Sequence, residues 1–258
     1  MKPTILAVPS GSLQAKTLNL LTKSWIIRSS DIGRKYEIVT DYPGLVLRVL
    51  DRRDMPQCVS ENMADFWLTG MDYLIESGLE DHMEILWELN FSRASNGPTQ
   101  FVLAGPGDIF SALDDVRGKT IYTEFPRLTE IKLREKGFDT TDLDIRRTEG
   151  KTETWWIFGR SAFTDITETG ETLRKNRMTI LAELFQSRPN FFALKWTVTD
   201  LMKNVVYLLQ RTLEQEQNPK VMVEMNVPRS SLHEVKAVIS AETSPTVMNT
   251  ADINTVVV

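Results

Sequence analysis

The chain has little of what most often carries protein chemistry: among its 258 residues there is one cysteine, Cys58, and there are two histidines, His82 and His233. A single cysteine forms no internal disulfide, so the expected setting is a reducing compartment, the cytoplasm. Both histidines stand apart from acidic or cysteine clusters, which leaves neither zinc-ligand spacing nor a Ser-His-Asp constellation. Positive charge is not in excess either. Thirty lysines and arginines face 35 acids, a net charge of −5, which argues against a general nucleic-acid or anionic-membrane binder. No apolar run approaches the roughly 18 residues of a membrane span, and Met1-Lys2-Pro3 leads into a short strand pattern instead of a signal peptide.

What is present describes a globular chain with a real core. The 41% hydrophobic and 25% charged composition, at a length above one average domain, predicts two or three lobes. The most informative stretch is Asp165-Ile166-Thr167-Glu168-Thr169-Gly170-Glu171-Thr172-Leu173. An apolar run ends in an acid, a hydroxyl-rich turn follows, and a helical pattern begins. Gly170 lets a backbone approach a ligand, and amide groups at a helix start suit a phosphate. The same residues also fit an ordinary N-cap at Thr169, with Glu168 and Glu171 in the first turn.

Elsewhere the patterns are plainer. Thr4 to Pro9 reads as a strand, and Ser10-Gly11-Ser12 then turns into a helix with Leu13, Thr17, Leu20 and Leu21 at helical spacing. Residues 36–50 read as two strands around Asp41-Tyr42-Pro43-Gly44. The breaker run Gly105-Pro106-Gly107 suggests a change of lobe. A helix around Leu128 to Lys136 ends at Gly137, and a long helix runs through Leu201, Val205, Leu209 and Leu213.

These motifs carry a family resemblance. GRSAFTDITETGETLRKN, from Gly159 to Asn176, resembles the phosphoribosyl-diphosphate loop of ATP phosphoribosyltransferases, G-x-A-D-A-I-x-D-x-x-x-T-G-x-T-L-x-x-N, although Ala162 replaces the acid of A-D-A. Ala7-Val8-Pro9-Ser10-Gly11-Ser12-Leu13 resembles the family's A-[LV]-P-x-K-G-R-L, with Ser10 and Ser12 in place of both cations. Asp54, Pro56, Val59, Asp65, Thr69, Gly70, Asp72 and Glu76 follow its R-x-x-D-I-P…G-I-T-G-x-D…E pattern, with Asn62 and Trp67 replacing glycines. Asp115 to Pro126, Glu149 to Glu153 and the segment from 219 to 258 also resemble family stretches.

The resemblance implies an α/β fold: a two-lobed catalytic region like the type II periplasmic binding proteins, with a partial ferredoxin-like (α+β) C-terminal segment. Lobe I would comprise 1–104 and 184–218, lobe II 105–183 and the regulatory-like domain 219–258, with histidine feedback not assumed. The implied reaction moves a 5-phosphoribosyl group from phosphoribosyl diphosphate (PRPP) to N1 of ATP, the first step of histidine biosynthesis. Asp165 and Glu153 would be the catalytic acids. Glu168, Thr169, Gly170, Glu171, Thr172 and Leu173 would hold PRPP, and Ser10, Gly11, Ser12, Trp67, Thr69, Gly70, Thr123 and Glu124 the acceptor. Magnesium would arrive mainly on the PRPP diphosphate, without a protein metal cluster. A homo-oligomer is expected. Because Ser10 and Ser12 remove charge and Trp67 adds a ring able to stack on a base, a less charged nitrogen heterocycle is an alternative acceptor, and a non-catalytic binding subunit is a further one. Lys16 or Arg53 could replace the missing cations.

Overall fold

The opening apolar run forms β1 (Thr4–Pro9), and one 3-10 turn over Gly11–Leu13 leads into α1 (Gln14–Lys23), which buries Thr17, Leu18, Leu20 and Leu21 at the expected spacing. This computed structural model describes residues 2–89, 97–149, 152, 161–167, 170–217, 225–238, 247–249 and 255–257. Next come β2 (Glu37–Val39), β3 (Leu45–Leu50), α2 (Met55–Ser60), β4 (Phe66–Gly70), α3 (Met71–Ser77) and β5 (Met83–Glu88). They are followed by β6 (Thr99–Pro106), β7 (Thr120–Thr123), α4 (Pro126–Glu135), β8 (Asp144–Arg147), β9 (Ala162–Thr167), α5 (Glu171–Lys175), β10 (Met178–Ser187), β11 (Pro189–Leu194) and α6 (Asp200–Gln217).

The strands make two sheets. The first has the order β2-β3-β1-β4-β11-β5, with β3, β1 and β4 parallel and β11 antiparallel to both neighbours. In the second, β10-β6-β9-β7-β8, the strands β9, β7 and β8 are parallel and β6 runs against β9 and β10. β6 and β10 pair from Thr99↔Ser187 to Pro106↔Met178. The chain therefore changes sheet between Leu89 and Thr99 and again between Ser187 and Pro189, not at the boundaries of 104 and 184 that the sequence predicts. Gly105 and Pro106 lie within β6.

Each sheet is covered on both faces. On the first, Leu6, Val8, Leu47, Phe66 and Phe191 pack with Leu18 and Leu21 of α1 and with Val205 and Leu209 of α6. Its other face sets Ile5, Ala7, Trp67 and Phe192 against Met55 and Val59 of α2 and Leu74 of α3. The second sheet packs Phe101, Leu103 and Ile121 on Leu128 and Leu133 of α4, while Val102, Ala104 and Phe163 meet Leu173 of α5 and Met178. Such alternation is the period-2 rule of strands with both faces buried.

Residues Met1–Leu213 form one compact unit and Glu214–Val258 a second. Within the latter, β12 (Asn226–Pro228), α7 (Leu232–Val238), β13 (Met248–Asn249) and β14 (Thr255–Val257) give an antiparallel sheet of order β12-β14-β13. No described helix is long and apolar enough to cross a membrane.

Candidate active site

Because β3, β1 and β4 run parallel, the loops that leave them open on one edge of the first sheet, where ligands of α/β sheets usually sit. From β1 come Ser10, Gly11 and Ser12. The Ser10 amide donates to the Leu50 carbonyl at 2.8 Å, tying this turn to β3. Gly11 adopts the left-handed φ of +81°, and a Cβ added there would meet nothing within 4 Å, so the turn faces open space. From β3 come Asp51, Arg52 and Arg53. Asp51 holds Arg53 through Nε–Oδ1 at 3.0 Å and Nη2–Oδ2 at 3.1 Å, which keeps the Asp51 carboxyl below its usual range. Arg52 instead donates from Nη1 to Ser12 Oγ at 3.3 Å, and its guanidinium lies 5.3 Å from the Tyr73 ring centre.

From β4 comes Gly70, and only glycine fits there: an added Cβ would fall 1.9 Å from Asp72 Oδ1. Asp72 is buried in the first turn of α3, where Ser187 Oγ donates to its Oδ1 at 2.9 Å. Burial pushes the Asp72 carboxyl up, against the opposing pull of Ser187, two backbone amides and Arg52. Thr99 Oγ1 donates to the Ser187 carbonyl at 3.1 Å. Asp72 thus fastens the start of α3 to the crossing at Ser187, which Thr99 ties in turn to the other crossing. Leu13, Arg52, Gly70, Asp72, Thr99 and Ser187 are among the residues lining one narrow recess there.

α3 also joins the second sheet. Tyr73 packs in that sheet's core, edge-on to Phe125 at 5.0 Å. Glu76 accepts the Leu128 amide at 3.0 Å, capping the start of α4, and pairs with Arg147 at 2.5 Å. Partial burial raises the Glu76 carboxyl, while the Leu128 amide and Arg147 oppose that rise. Arg127 pairs with Glu80 at 2.8 Å and donates to the Ile75 carbonyl. Beside this contact is a cavity of about 400 Å³, lined in part by Arg53, Gln57, Glu76, Glu124, Arg147 and Glu149.

On the second sheet, Asp165 is half-buried on β9, and its Oδ1 accepts the Ile166 amide at 2.8 Å. Gly170 has φ +66° and donates its amide to Thr167 Oγ1 at 2.9 Å, which fixes the turn into α5. Leu173 is buried behind that turn, whereas Glu171 and Thr172 are exposed. Among the described residues no group of three or more His, Cys, Asp or Glu could hold a metal ion. Carboxylates, guanidinia, hydroxyls and amides around a cleft suit positioning and charge stabilisation.

A family model described as ATP phosphoribosyltransferase matches residues 51–215, and one described as HisG, C-terminal domain, matches 218–258. The chain belongs to the ATP phosphoribosyltransferase family. It is 30% identical to the ATP phosphoribosyltransferase of Koribacter versatilis (strain Ellin345) over 248 residues, 94% of this chain and 83% of that protein. Against the ATP phosphoribosyltransferase of Methanopyrus kandleri it is 31% identical over 246 residues, 93% of this chain and 82% of that protein. Among solved structures it is similar to the ATP phosphoribosyl transferase (HisG:HisZ) complex from Thermotoga maritima: TM-score 0.65, 27% identity, 82% of this chain and 99% of that one. At the level of fold alone it is similar to the periplasmic sulfonate-binding protein SsuA from Methylobacillus flagellatus KT, with TM-score 0.53, 12% identity, 84% of this chain and 70% of that one.

Within this ATP phosphoribosyltransferase-family chain, the structure brings Ser10, Gly11, Ser12 and Gly70 to one edge and sets Glu124 on the neighbouring cavity. It does not bring Trp67 there. That ring is fully buried, 5.2 Å from Phe192, because strand alternation turns it toward α2 and α3, so the expected stacking on a base gives way to a role in the core. Thr69 is buried on the same face by the same alternation, and its hydroxyl has no hydrogen-bond partner among the described residues. Thr123 is buried as well: its Oγ1 accepts the Phe125 amide at 2.9 Å and lies 3.1 Å from Thr129 Oγ1, with Thr164 donating to it. Its hydroxyl builds the turn into α4 and is used up doing so. Glu153, Glu168 and Thr169 lie outside the described residues. The sequence alone assigns no role to Arg52 or Ser187, and marks Glu76 only as a match to the family pattern. For Arg52 the signal is the pair Arg52-Arg53 directly after an apolar strand; Arg53, the cation that the sequence favours, is already held by Asp51.

Proposed function

We propose that this chain transfers the 5-phosphoribosyl group of PRPP to N1 of ATP with release of diphosphate, the first step of L-histidine biosynthesis. The observation that carries the reading is the match of the ATP phosphoribosyltransferase model over residues 51–215, which takes in the whole second sheet, strands β4, β5 and β11 of the first, and Arg52, Gly70 and Glu124. The bond from ribose C1 to the diphosphate oxygen breaks and the bond from C1 to N1 of adenine forms. Positive charge develops on the ribose ring and negative charge on the leaving diphosphate, so the protein orients two substrates and stabilises charge, and needs neither cysteine nor histidine. Magnesium enters as part of the donor, as its diphosphate complex.

On this reading the turn at Glu168-Thr169-Gly170, with Glu171, Thr172 and Leu173, holds the donor's 5-phosphate. The left-handed Gly170 supports it, since the backbone passes there without a side chain. Asp165 and Glu153 serve the ribose side. The acceptor enters at the first sheet's edge, over Ser10, Gly11, Ser12 and Gly70, with Glu124 on the facing wall. Lone Cys58 suits the cytoplasm. We also read the chain as working in an oligomer, as the Thermotoga maritima relative is solved as a HisG:HisZ complex.

Separate calorimetric titrations with magnesium-PRPP and with ATP test the reading. Binding of both is expected. Binding of PRPP alone would assign another acceptor, and binding of neither would make the chain a non-catalytic subunit.

A further inference from the structure

Other arginines near the cleft are committed to carboxylates: Arg53 to Asp51, Arg127 to Glu80 and Arg147 to Glu76. Arg52 is different. Among the described residues its guanidinium enters no ion pair, and its hydrogen bond goes to a neutral hydroxyl, Ser12 Oγ, at 3.3 Å. The fork has five N–H donors, so most remain available. It is half-buried at the edge where β3, β1 and β4 end, and it lies over the Tyr73 ring at 5.3 Å, which limits where it can swing. Directly beside it Gly11 leaves open space above the turn. The one acid among the residues lining the same recess, Asp72, is hydrogen-bonded by Ser187 and feels the charge of Arg52, but no ion pair joins the two among the described residues. A held guanidinium with spare parallel donors, next to an open glycine turn, is suited to phosphate oxygens in bidentate geometry.

We propose that Arg52 seats the polyphosphate of the purine nucleotide acceptor, supplying from the loop after β3 the positive charge that the turn at Ser10 and Ser12 does not carry. The inference rests on the acceptor site proposed above. It makes Arg52 a specificity-determining residue: a triphosphate is favoured over a monophosphate by the contacts of this one fork, and Ser12 steadies the fork from the other side. A different anion source, the diphosphate of the donor, offers the same chemistry, and the experiment separates the two.

Steady-state kinetics with ATP varied at saturating PRPP, and with PRPP varied at saturating ATP, would be run on the full chain and on Arg52→Ala and Arg52→Lys. Loss of a charge-assisted contact raises KM for ATP by about 10-fold to 100-fold in Arg52→Ala, with KM for PRPP within about 2-fold. Arg52→Lys recovers part of the ATP affinity, because charge returns without the fork. Direct titration with ATP, AMP and inorganic tripolyphosphate loses most affinity for ATP and tripolyphosphate and least for AMP, and the salt dependence of ATP binding becomes shallower. An unchanged KM for ATP in a folded Arg52→Ala, or a loss confined to PRPP, overturns the inference while leaving the proposed reaction intact. If the unmodified chain binds PRPP but transfers nothing to ATP, the proposed reaction fails and this inference falls with it.

Discussion

The two sheets end their cleft-side strands in opposite ways. At the edge of the first, after β3 and β1, polar groups face outward: Ser12 is exposed and Arg52 enters no ion pair among the described residues. After β7 in the second, polar groups turn inward, and Thr123, Thr129 and Thr164 bond to one another and to the Phe125 backbone. Both regions match family motifs. Of these two edges, the first leaves guanidinium donors unspent among the described residues, and on the proposed reading a threonine or arginine in a motif carries function where the fold leaves its hydrogen bonds unspent.

The sharpest way to break that comparison is at Trp67, which the sequence places in the acceptor site and the structure places in the core. Trp67→Ala is expected to cost about 3–5 kcal/mol of unfolding free energy, as large-to-small changes in a packed interior do. Chemical denaturation measures it, and a variant of unchanged stability with an altered KM for ATP would return the ring to the site. Next in size is Gly170→Asp. A carboxylate facing a phosphate, on backbone at φ +66°, should weaken PRPP binding by roughly 2–5 kcal/mol while ATP binding is retained. Unchanged PRPP affinity in a folded variant would remove the turn from the donor site.

Thr123→Val tests the inward-facing hydroxyls. It strands the buried Phe125 amide and should cost about 1–3 kcal/mol of stability, with no change in KM for ATP. A shift in KM without loss of stability would show Thr123 reaching the acceptor. The smallest expected effect is a pH dependence at Asp72. Burial raises this carboxyl in the folded state above the ~3.9 of an unfolded aspartate. The folded chain then holds the proton more tightly than the unfolded chain, so this group's contribution to stability falls as pH rises from about 3.9 to the folded value, and is flat beyond it. Asp72→Asn lacks that slope. Denaturation midpoints should therefore shift in favour of the variant as pH increases through this window, and a gap independent of pH would contradict the assignment.

Much of the fold can be read in the residues. β1 and α1 follow from an apolar run stopped at Pro9 and from Leu13, Thr17, Leu20 and Leu21 at helical spacing. The turn at Asp41-Tyr42-Pro43-Gly44 joins β2 and β3 in antiparallel register. Asn62, at a glycine position of the family pattern, takes the left-handed backbone at φ +59°, and Gly137 follows the end of α4 at φ +75°. The lobe boundary was not legible, because Gly105 and Pro106 look like a break yet lie in β6. Glycine is required at 105 for packing: an added Cβ would stand 2.5 Å from Phe110. Nor was the orientation of Trp67 legible. Both faces of β4 are buried, so Phe66, Trp67 and Leu68 show no polar alternation to tell one face from the other. The distinction between Arg52 and Arg53 lies wholly in the fold, since only the placement of Asp51, Ser12 and Tyr73 decides which guanidinium is already engaged.

The most direct test is to incubate the full chain with PRPP, magnesium and ATP and to follow the nucleotide by mass spectrometry alongside diphosphate release. Appearance of ATP carrying one added phosphoribosyl group, with an equal amount of diphosphate, is the predicted result. Unmodified ATP in the presence of bound PRPP would contradict it.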